Sequence, residues 1–266
     1  MDECRFTLHQ IEGYIATLYL LEYRDKVLLL DGGARRDAAR VKNFFEQVLH
    51  RPLSDLKLML VSHMHPDHAG GAPLLRRRSA IPIAAHYEID RWYRGVSGAV
   101  QHIVDTVLGH YSARQQFGKL ERAWYPRRLK PNFLLHDQDR LPLFSDWAAY
   151  QTPGHTLYDM VFYHPQEKLL YVGDLIIRVG DKIVLPFPTL FPELMTASLR
   201  HMAELPVRKL LLAHGGIIEV DASSSFFTDL LPQVGRCDYR SFRMIKPLCS
   251  LAPDVRSYRK SRINQD

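Results

Sequence analysis

Apolar residues recur along the chain with two periods, and each period predicts a different kind of element. Short apolar runs bounded by turn residues predict strands at 6–11, 15–22, 26–30, 58–61, 81–85, 148–152, 160–164, 169–172 and 209–213. Apolar positions three and four residues apart predict helices over 37–49 and 192–204, and a short helix follows His68. Strands and helices thus recur in two similar halves, which favours an α+β fold but does not select one α/β layout.

Two stretches fall outside this alternation. The stretch 87–130 is longer than a simple connection and interleaves aromatic with arginine residues, which predicts two or three helices. The stretch from about residue 233 predicts a helix packed on the domain and a loose tail over 257–266. We therefore expect one domain over 1–232, with 87–130 as an insertion, followed by a C-terminal helix and basic tail over 233–266.

Chemistry is concentrated in the run that follows strand 58–61. His63, His65, Asp67 and His68 place three imidazoles and one carboxylate within six residues. His63 and His65 share one face of an extended chain, whereas Asp67 and His68 lie on the turn. Crowding these groups is unfavourable unless a cation lies between them, and one or two transition-metal ions held mainly by imidazole would serve. A histidine-rich surface loop is the plainer alternative.

Three later strand ends carry further candidate ligands. His155 follows strand 148–152, Asp174 follows strand 169–172, and His214 follows strand 209–213. A glycine stands beside each of them and allows the backbone to approach a site closely. A single His or Asp at a strand end is more often structural, but the ordered set after the first motif favours a metal site.

These motifs resemble those of the metallo-β-lactamase superfamily over about residues 5 to 220. The matching motifs are His63-x-His65-x-Asp67-His68, Pro153-Gly154-His155-Thr156, Gly173-Asp174 and Ala213-His214-Gly215, with Ala213 where many members carry Gly. The resemblance implies a four-layer αβ/βα sandwich in which two sheets pack face to face. It also implies one metal held by His63, His65 and His155, a second held by Asp67, His68 and His214, and a bridging Asp174.

The resemblance also implies roles for one residue and two segments around the metal site. Asp31 matches the family's earlier strand-end Asp, which supports the site without binding metal. An insertion such as 87–130 commonly forms a helical cap over the metals, although its aromatic residues could equally be core. The Pro- and Phe-rich loop 185–192 would form another wall of a substrate pocket.

The chemistry that such a site implies is hydrolysis. Two divalent transition-metal ions, zinc foremost with iron or manganese also suited, would lower the pKa of a shared water, so that a metal-bridging hydroxide attacks a carbonyl. Asp67 is the candidate catalytic residue that orients the hydroxide and passes its proton to the leaving group. Asp174 and the His155 motif look more like glyoxalase II-type thioester hydrolases and lactonases than zinc β-lactamases, so we expect a lactone, ester or thioester hydrolase.

Three further functions stay open on the sequence. A phosphodiesterase or nuclease could use the same dinuclear site and would need a contiguous basic groove. The ligand pattern is also compatible with a mononuclear-iron persulfide dioxygenase and with a non-catalytic binder. No Gly-x-Gly-x-x-Gly follows a strand, so neither a flavin nor a nicotinamide site is expected.

The amino-acid composition indicates which kinds of partner and which cellular compartment to expect. The 266 residues carry a net charge of +6, but the basic residues are dispersed, which favours solvated helix faces over nucleic-acid binding. The three cysteines are too scattered for a disulfide framework, no run is apolar enough to span a membrane, and we expect no secretory signal. We expect a cytoplasmic protein with a small acyl substrate and no membrane partner; its oligomeric state is open.

Overall fold

Fourteen short strands form the centre of the computed structural model, which describes residues 6–118, 120–221, 225–236 and 247–263. In chain order they are β1 Thr7–Glu12, β2 Thr17–Glu22, β3 Val27–Leu30, β4 Leu56–Val61, β5 Ile83–His86, β6 Phe133–Leu135, β7 Arg140–Leu141, β8 Phe144–Gln151, β9 Met160–His164, β10 Leu169–Tyr171, β11 Ile177–Val179, β12 Lys182–Val184, β13 Lys209–Leu212 and β14 Gly216–Glu219. Strands β1 to β6 form a six-stranded sheet in chain order, and a second six-stranded sheet has the order β14-β13-β10-β9-β8-β7. Strands β11 and β12 form a separate hairpin.

The helices lie between the strands in sequence. They are α1 Asp37–Phe44, continued by a π-helical turn over Phe45–Leu49, then α2 Pro66–Ala69, α3 Ala72–Ser79, α4 Gly95–Phe117, α5 Pro192–Ala203 and α6 Pro253–Ile263. Short 3₁₀ turns occur at Leu53–Asp55, Ile89–Arg91, Thr228–Gln233 and Leu248–Ser250. No helix in the described ranges is both long enough and apolar enough to cross a membrane.

Three apolar clusters separate four layers. Along β2, Tyr19 and Leu21 pack into the cluster between the two sheets, whereas Leu18 and Leu20 pack into the cluster under the helices. This alternation follows from the two-residue period of a strand and buries both faces of the sheet. A third cluster packs Leu199 of α5 against the outer face of the second sheet. The four-layer αβ/βα sandwich predicted for the chain is therefore confirmed.

The predicted strands and helices are present with small shifts at their ends, but two local predictions are wrong. The segment 87–130 contains one 23-residue α-helix, α4, preceded by a 3₁₀ turn, rather than two or three α-helices. After α4 the chain runs without regular structure, and the Asp90 carboxylate holds it by accepting the backbone N–H of Leu129. The expected loose tail is helical as far as Ile263, because Val255 is fully buried and anchors α6. The parts of the predicted C-terminal helix and tail at 237–246 and 264–266 lie outside the described residues.

Candidate metal centre

All seven predicted ligands lie at the carboxyl ends of strands from both sheets. Strands β3 and β4 are parallel, as are β10 and β13, so the residues that follow them emerge at the same edge. Two backbone hydrogen bonds join the sheets at this edge, from Met160 N to Ser62 O at 3.0 Å and from Thr17 N to Ala213 O at 2.8 Å. The chain has Pro66 as the first residue of α2, where a missing N–H costs nothing, so Asp67 and His68 start a helix directly after His65, whose backbone is extended.

Three imidazoles converge on one point. His63 Nε2 and His155 Nε2 each lie 3.0 Å from His65 Nδ1. A tetrahedral metal with metal–nitrogen bonds of about 2.0–2.1 Å needs its ligand nitrogens about 3.3 Å apart. The spacing of the three nitrogens is therefore close to what one such ion requires.

A second group faces the first across Asp174. His214 Nε2 lies 3.2 Å from Asp67 Oδ2, and His68 Nε2 lies 3.6 Å from the same oxygen. Asp174 Oδ1 is 3.1 Å from His68 Nε2 and 3.3 Å from His214 Nε2, whereas Asp174 Oδ2 is 3.5 Å from His155 Nε2. One carboxylate thus points one oxygen at each group, in the arrangement that a bridging ligand needs.

A buried carboxylate behind the site fixes the orientation of His68. Asp31 Oδ2 accepts hydrogen bonds from Ser62 Oγ at 2.7 Å, from His68 Nδ1 at 2.7 Å and from the Tyr171 hydroxyl, while Asp31 Oδ1 accepts the Ser62 backbone N–H. Since Nδ1 of His68 is committed to Asp31, its Nε2 faces Asp174. Asp31 itself lies outside both ligand groups, as the family resemblance implied.

The loop that carries His155 is held from the other half of the chain. The Pro188 carbonyl lies 3.0 Å from His155 Nδ1 and can accept its proton, which directs Nε2 to the site. Gly154 is required there, because a Cβ at this position would lie 2.8 Å from Met195 Cα in α5. Loop 185–192 therefore supports a ligand, and its Phe191 is fully buried in the core rather than exposed on a pocket wall.

The two groups differ in charge. Burial, helped by the neighbouring imidazoles, lowers the pKa of His65 to about 3 and that of His63 well below its usual value, so both are neutral with free lone pairs. Burial also opposes charge on His214, but Asp174 and Asp67 outweigh it and raise the pKa of His214 to about 10. Burial would raise the pKa of Asp67, but His68 and His214 lower it to about 2. In the metal-free protein, the proton on His214 thus balances part of the negative charge of Asp67 and Asp174.

Two buried atoms of this site indicate that a further group belongs there. His68 Nε2 and Asp174 Oδ1 are buried and, within the described part of the chain, make no hydrogen bond of acceptable geometry. Buried polar atoms without partners are rare in folded proteins. Imidazole nitrogens and carboxylate oxygens suit zinc, iron or manganese. The residues present therefore fit one or two divalent metal ions.

Sequence reasoning missed one residue beside the site. Asp105 Oδ2 lies 3.6 Å from His65 Nε2, the ring nitrogen that points away from the ligand cluster. The Tyr93 hydroxyl and Gln101 Nε2 donate to this carboxylate at 2.8 and 2.6 Å, while burial raises the pKa of Asp105 to about 7. The available signal was that Asp105 is the only acidic residue in the α4 sequence. The insertion 87–130 therefore lies against the site, and its Trp92, Tyr93 and Tyr125 are core residues at the same time.

The layered fold and the paired ligand groups define a metallo-hydrolase type of centre. A family model described as the metallo-beta-lactamase superfamily matches residues 12–214, and the chain belongs to this superfamily. Membership supports an enzyme of the metallo-hydrolase class, and members of the superfamily typically bind divalent metal ions.

Individual relatives are distant. A probable metallo-hydrolase of Bacillus subtilis, YybB, is 27% identical over 182 residues, 68% of this chain and 71% of the relative. A hydroxyacylglutathione hydrolase of Pseudomonas fluorescens is 29% identical over 171 residues, which cover 64% of this chain and 49% of the relative. The archaeal superfamily protein ST1585 from Sulfolobus tokodaii has a TM-score of 0.58 at 18% identity and covers 97% of this chain and 99% of its own. The protein TTHA1623, solved in a di-iron-bound form, has a TM-score of 0.54 at 21% identity, with coverage of 80% and 94%.

Proposed function

We propose that this protein is a dinuclear metal-dependent hydrolase that cleaves a lactone, ester or thioester. The observation that carries the proposal is the position of Asp174, whose two oxygens face the two ligand groups separately. His63, His65 and His155 would hold one ion, Asp67, His68 and His214 would hold the other, and Asp174 would bridge them. We propose zinc as the ion, and the same donors also suit iron or manganese.

When bound, two such ions supply an activated water at neutral pH and polarise the scissile carbonyl. Asp67 is the residue we assign to the proton transfers. In the metal-free protein burial opposes its charge, but His68 and His214 lower the pKa of Asp67, so the carboxylate is ionised at neutral pH. It could therefore accept a proton from the attacking water and pass it to the leaving oxygen or sulfur. His214, 3.2 Å from Asp67 Oδ2, orients that carboxylate.

The acyl nature of the substrate is supported by similarity rather than by a pocket. Several relatives are hydroxyacylglutathione hydrolases by name, but the chain matches only about half of their length. A small acyl substrate is therefore the proposed class. A phosphodiesterase on the same site stays the alternative, and the substrate panel described next separates the two.

The test combines metal analysis with a substrate panel. Protein purified without chelator is assayed for metal content and for hydrolysis of lactones, thioesters and a bis-aryl phosphate. We expect about two ions per chain, and we expect His65→Ala and Asp174→Ala to lose activity with their circular dichroism unchanged. His136→Ala, at an exposed histidine outside the cluster, is the matched control and keeps full activity.

Each contrary outcome has a distinct meaning. A folded and fully active Asp174→Ala protein contradicts the dinuclear mechanism. Turnover of the phosphate diester alone assigns a phosphodiesterase, and oxygen uptake with one iron per chain assigns a dioxygenase. Binding without any turnover assigns a binder.

A further inference from the structure

The outer face of α4 is an exposed apolar surface. Val96, Val100, Ile103, Val107 and Tyr111 are between 44% and 84% exposed. Their spacing of four, three, four and four residues places them in one row, which we call the α4 stripe. At 1.5 Å per residue the row is about 22 Å long. Apolar side chains in a row of this kind are normally covered in a globular protein.

Neighbouring segments widen this apolar surface. Trp124 is 55% exposed, and its ring lies 4.7 Å from that of His102, a buried residue of α4. Leu248 is 49% exposed and starts the 3₁₀ turn that packs on α4. With Leu120 included, eight of the thirteen exposed large hydrophobic side chains in the described ranges lie on α4 or in the segments beside it. A concentration of this kind marks an interaction surface.

The exposed charges of the segments that form α4, flank it in sequence or pack on it are basic; two of them are also ion-paired, Arg91 with Glu88 and Arg94 with Asp254. Every charged side chain that is exposed in the described parts of 91–130 and 247–261 is basic: Arg91, Arg94, Arg114, Arg122, Arg127, Arg128, Lys130, Arg256, Arg259 and Lys260. The acids of these segments, Asp105, Glu121 and Asp254, are buried or half-buried, and all three accept hydrogen bonds. Arg127 lies at the start of α4, where its guanidinium donates to the Tyr93 and Gly95 carbonyls, and Arg114 lies in its last turn.

We propose that the α4 stripe and its basic surroundings bind the surface of an anionic lipid membrane. Apolar side chains enter the interface while the arginines pair with anionic headgroups, the combination that holds interfacial helices on membranes. A second copy of this chain fits less well. A copy would bring the exposed arginines of one chain against those of the other.

This inference departs from the expectation that no membrane is a partner, which rested on the lack of a spanning segment. Lying on a membrane and crossing it are different physical states, and only the folded structure brings together the apolar row and the separate basic segments. The proposal does not depend on the hydrolase function, because α4 can bind lipid whether or not the site turns over substrate.

The structure supplies a reporter for the test. Of the three tryptophans, Trp92 and Trp147 are fully buried, whereas Trp124 is exposed and contacts α4 through His102. Insertion should therefore shift tryptophan emission to the blue through Trp124. The probe is a vesicle of equal parts phosphatidylglycerol and phosphatidylcholine, compared with pure phosphatidylcholine, using the full chain in both co-sedimentation and fluorescence titrations.

The variant is Ile103→Glu, and the matched control is Val48→Glu, because Val48 is 54% exposed and Ile103 50%, but Val48 lies away from α4. We expect binding to the anionic vesicles, weakening in high salt, and a loss of about tenfold or more in affinity for Ile103→Glu only. Trp124→Phe should bind but lose the blue shift.

Three results would overturn the proposal. They are the absence of binding to the anionic vesicles, equal binding to pure phosphatidylcholine, and equal weakening by Ile103→Glu and Val48→Glu. A dimer in sedimentation velocity that Ile103→Glu dissociates, without vesicle binding, would assign the α4 stripe to a second copy instead.

Discussion

Replacing Asp31 by Asn should destabilise the metal-free protein strongly, although it removes only one charge and no volume. Asp31 has a φ of +63°, in the left-handed region that Asn tolerates well, so the substitution adds no backbone strain. Its carboxylate is 1% exposed and accepts four hydrogen bonds from Ser62, His68 and Tyr171. Any loss of stability therefore reports on these hydrogen bonds.

The magnitude follows from where the amide group can point. With its oxygen at the Oδ2 position, the introduced asparagine keeps three donors but turns an NH₂ group towards the Ser62 backbone N–H. Leaving that buried donor without an acceptor costs about 1–3 kcal/mol. The three remaining hydrogen bonds lose their charged acceptor, which weakens each by about 1 kcal/mol. Since removing the charge also relieves its desolvation, we expect a net loss of about 3–5 kcal/mol, as for a broken buried ion pair.

The assay is urea unfolding in the presence of chelator, so that metal binding does not contribute to the free energy of unfolding. Asp25→Asn, an exposed site, is the control and should stay within about 0.5 kcal/mol of the parent. Tyr171→Phe removes one donor only and should fall between the two. An Asp31→Asn protein within about 1 kcal/mol of the parent would refute the argument that this carboxylate organises the site without metal.

Three further predictions concern other parts of the molecule. Burial lowers the pKa of His102 to about 4, so this residue binds more protons in the unfolded state below pH 6.5, and the free energy of unfolding should fall towards pH 4. In urea titrations at several pH values the His102→Phe protein should lose less stability than the parent, by up to about 3 kcal/mol at pH 4. Gly154→Ala, with a Cβ 2.8 Å from Met195 Cα, should cost about 1–3 kcal/mol in thermal unfolding, whereas no loss would mean that the His155 loop moves freely. Asp105→Leu removes the carboxylate that faces His65 Nε2 and should weaken metal affinity about 10–100-fold in chelator competition; unchanged affinity would show that Asp105 does not orient His65.

The convergence of the seven candidate ligands could be predicted because its signals are local. Each candidate follows an apolar run, and parallel strands bring their carboxyl ends to one edge of a sheet. His63, His65, Asp67 and His68 lie within one run of six residues just after the end of a strand, so they cannot be far apart; the structure places His63 and His65 in a bend rather than in a strand, and Asp67 and His68 in the first turn of α2. That these residues bind two ions stays a prediction, as do the domain bounds and the cytoplasmic location.

Other features depend on contacts between distant segments and could not be predicted. The partner of His155 Nδ1 is the Pro188 carbonyl, a backbone atom that carries no sequence signal. Asp105 approaches His65 only because α4 packs against α2. The short strands β6, β7 and β14 and the β11–β12 hairpin were missed, because two to four residues give too little alternation to detect. The exposed α4 stripe has the spacing of a buried face, so only the fold distinguishes the two.

The C-terminal helix joins the insertion to the body of the protein. The Asp254 carboxylate accepts the Tyr158 hydroxyl at 2.9 Å and lies 3.4 Å from the Arg94 guanidinium, while Gln101 of α4 accepts the Leu251 backbone N–H. A chimaera that takes only the α4 region from a relative would replace Arg94 and Gln101, the residues of the insertion that contact the C-terminal segment. Asp254 would then stay buried without its arginine. Transplanting the insertion between superfamily members therefore requires moving both segments together, and the two should diverge in step during evolution.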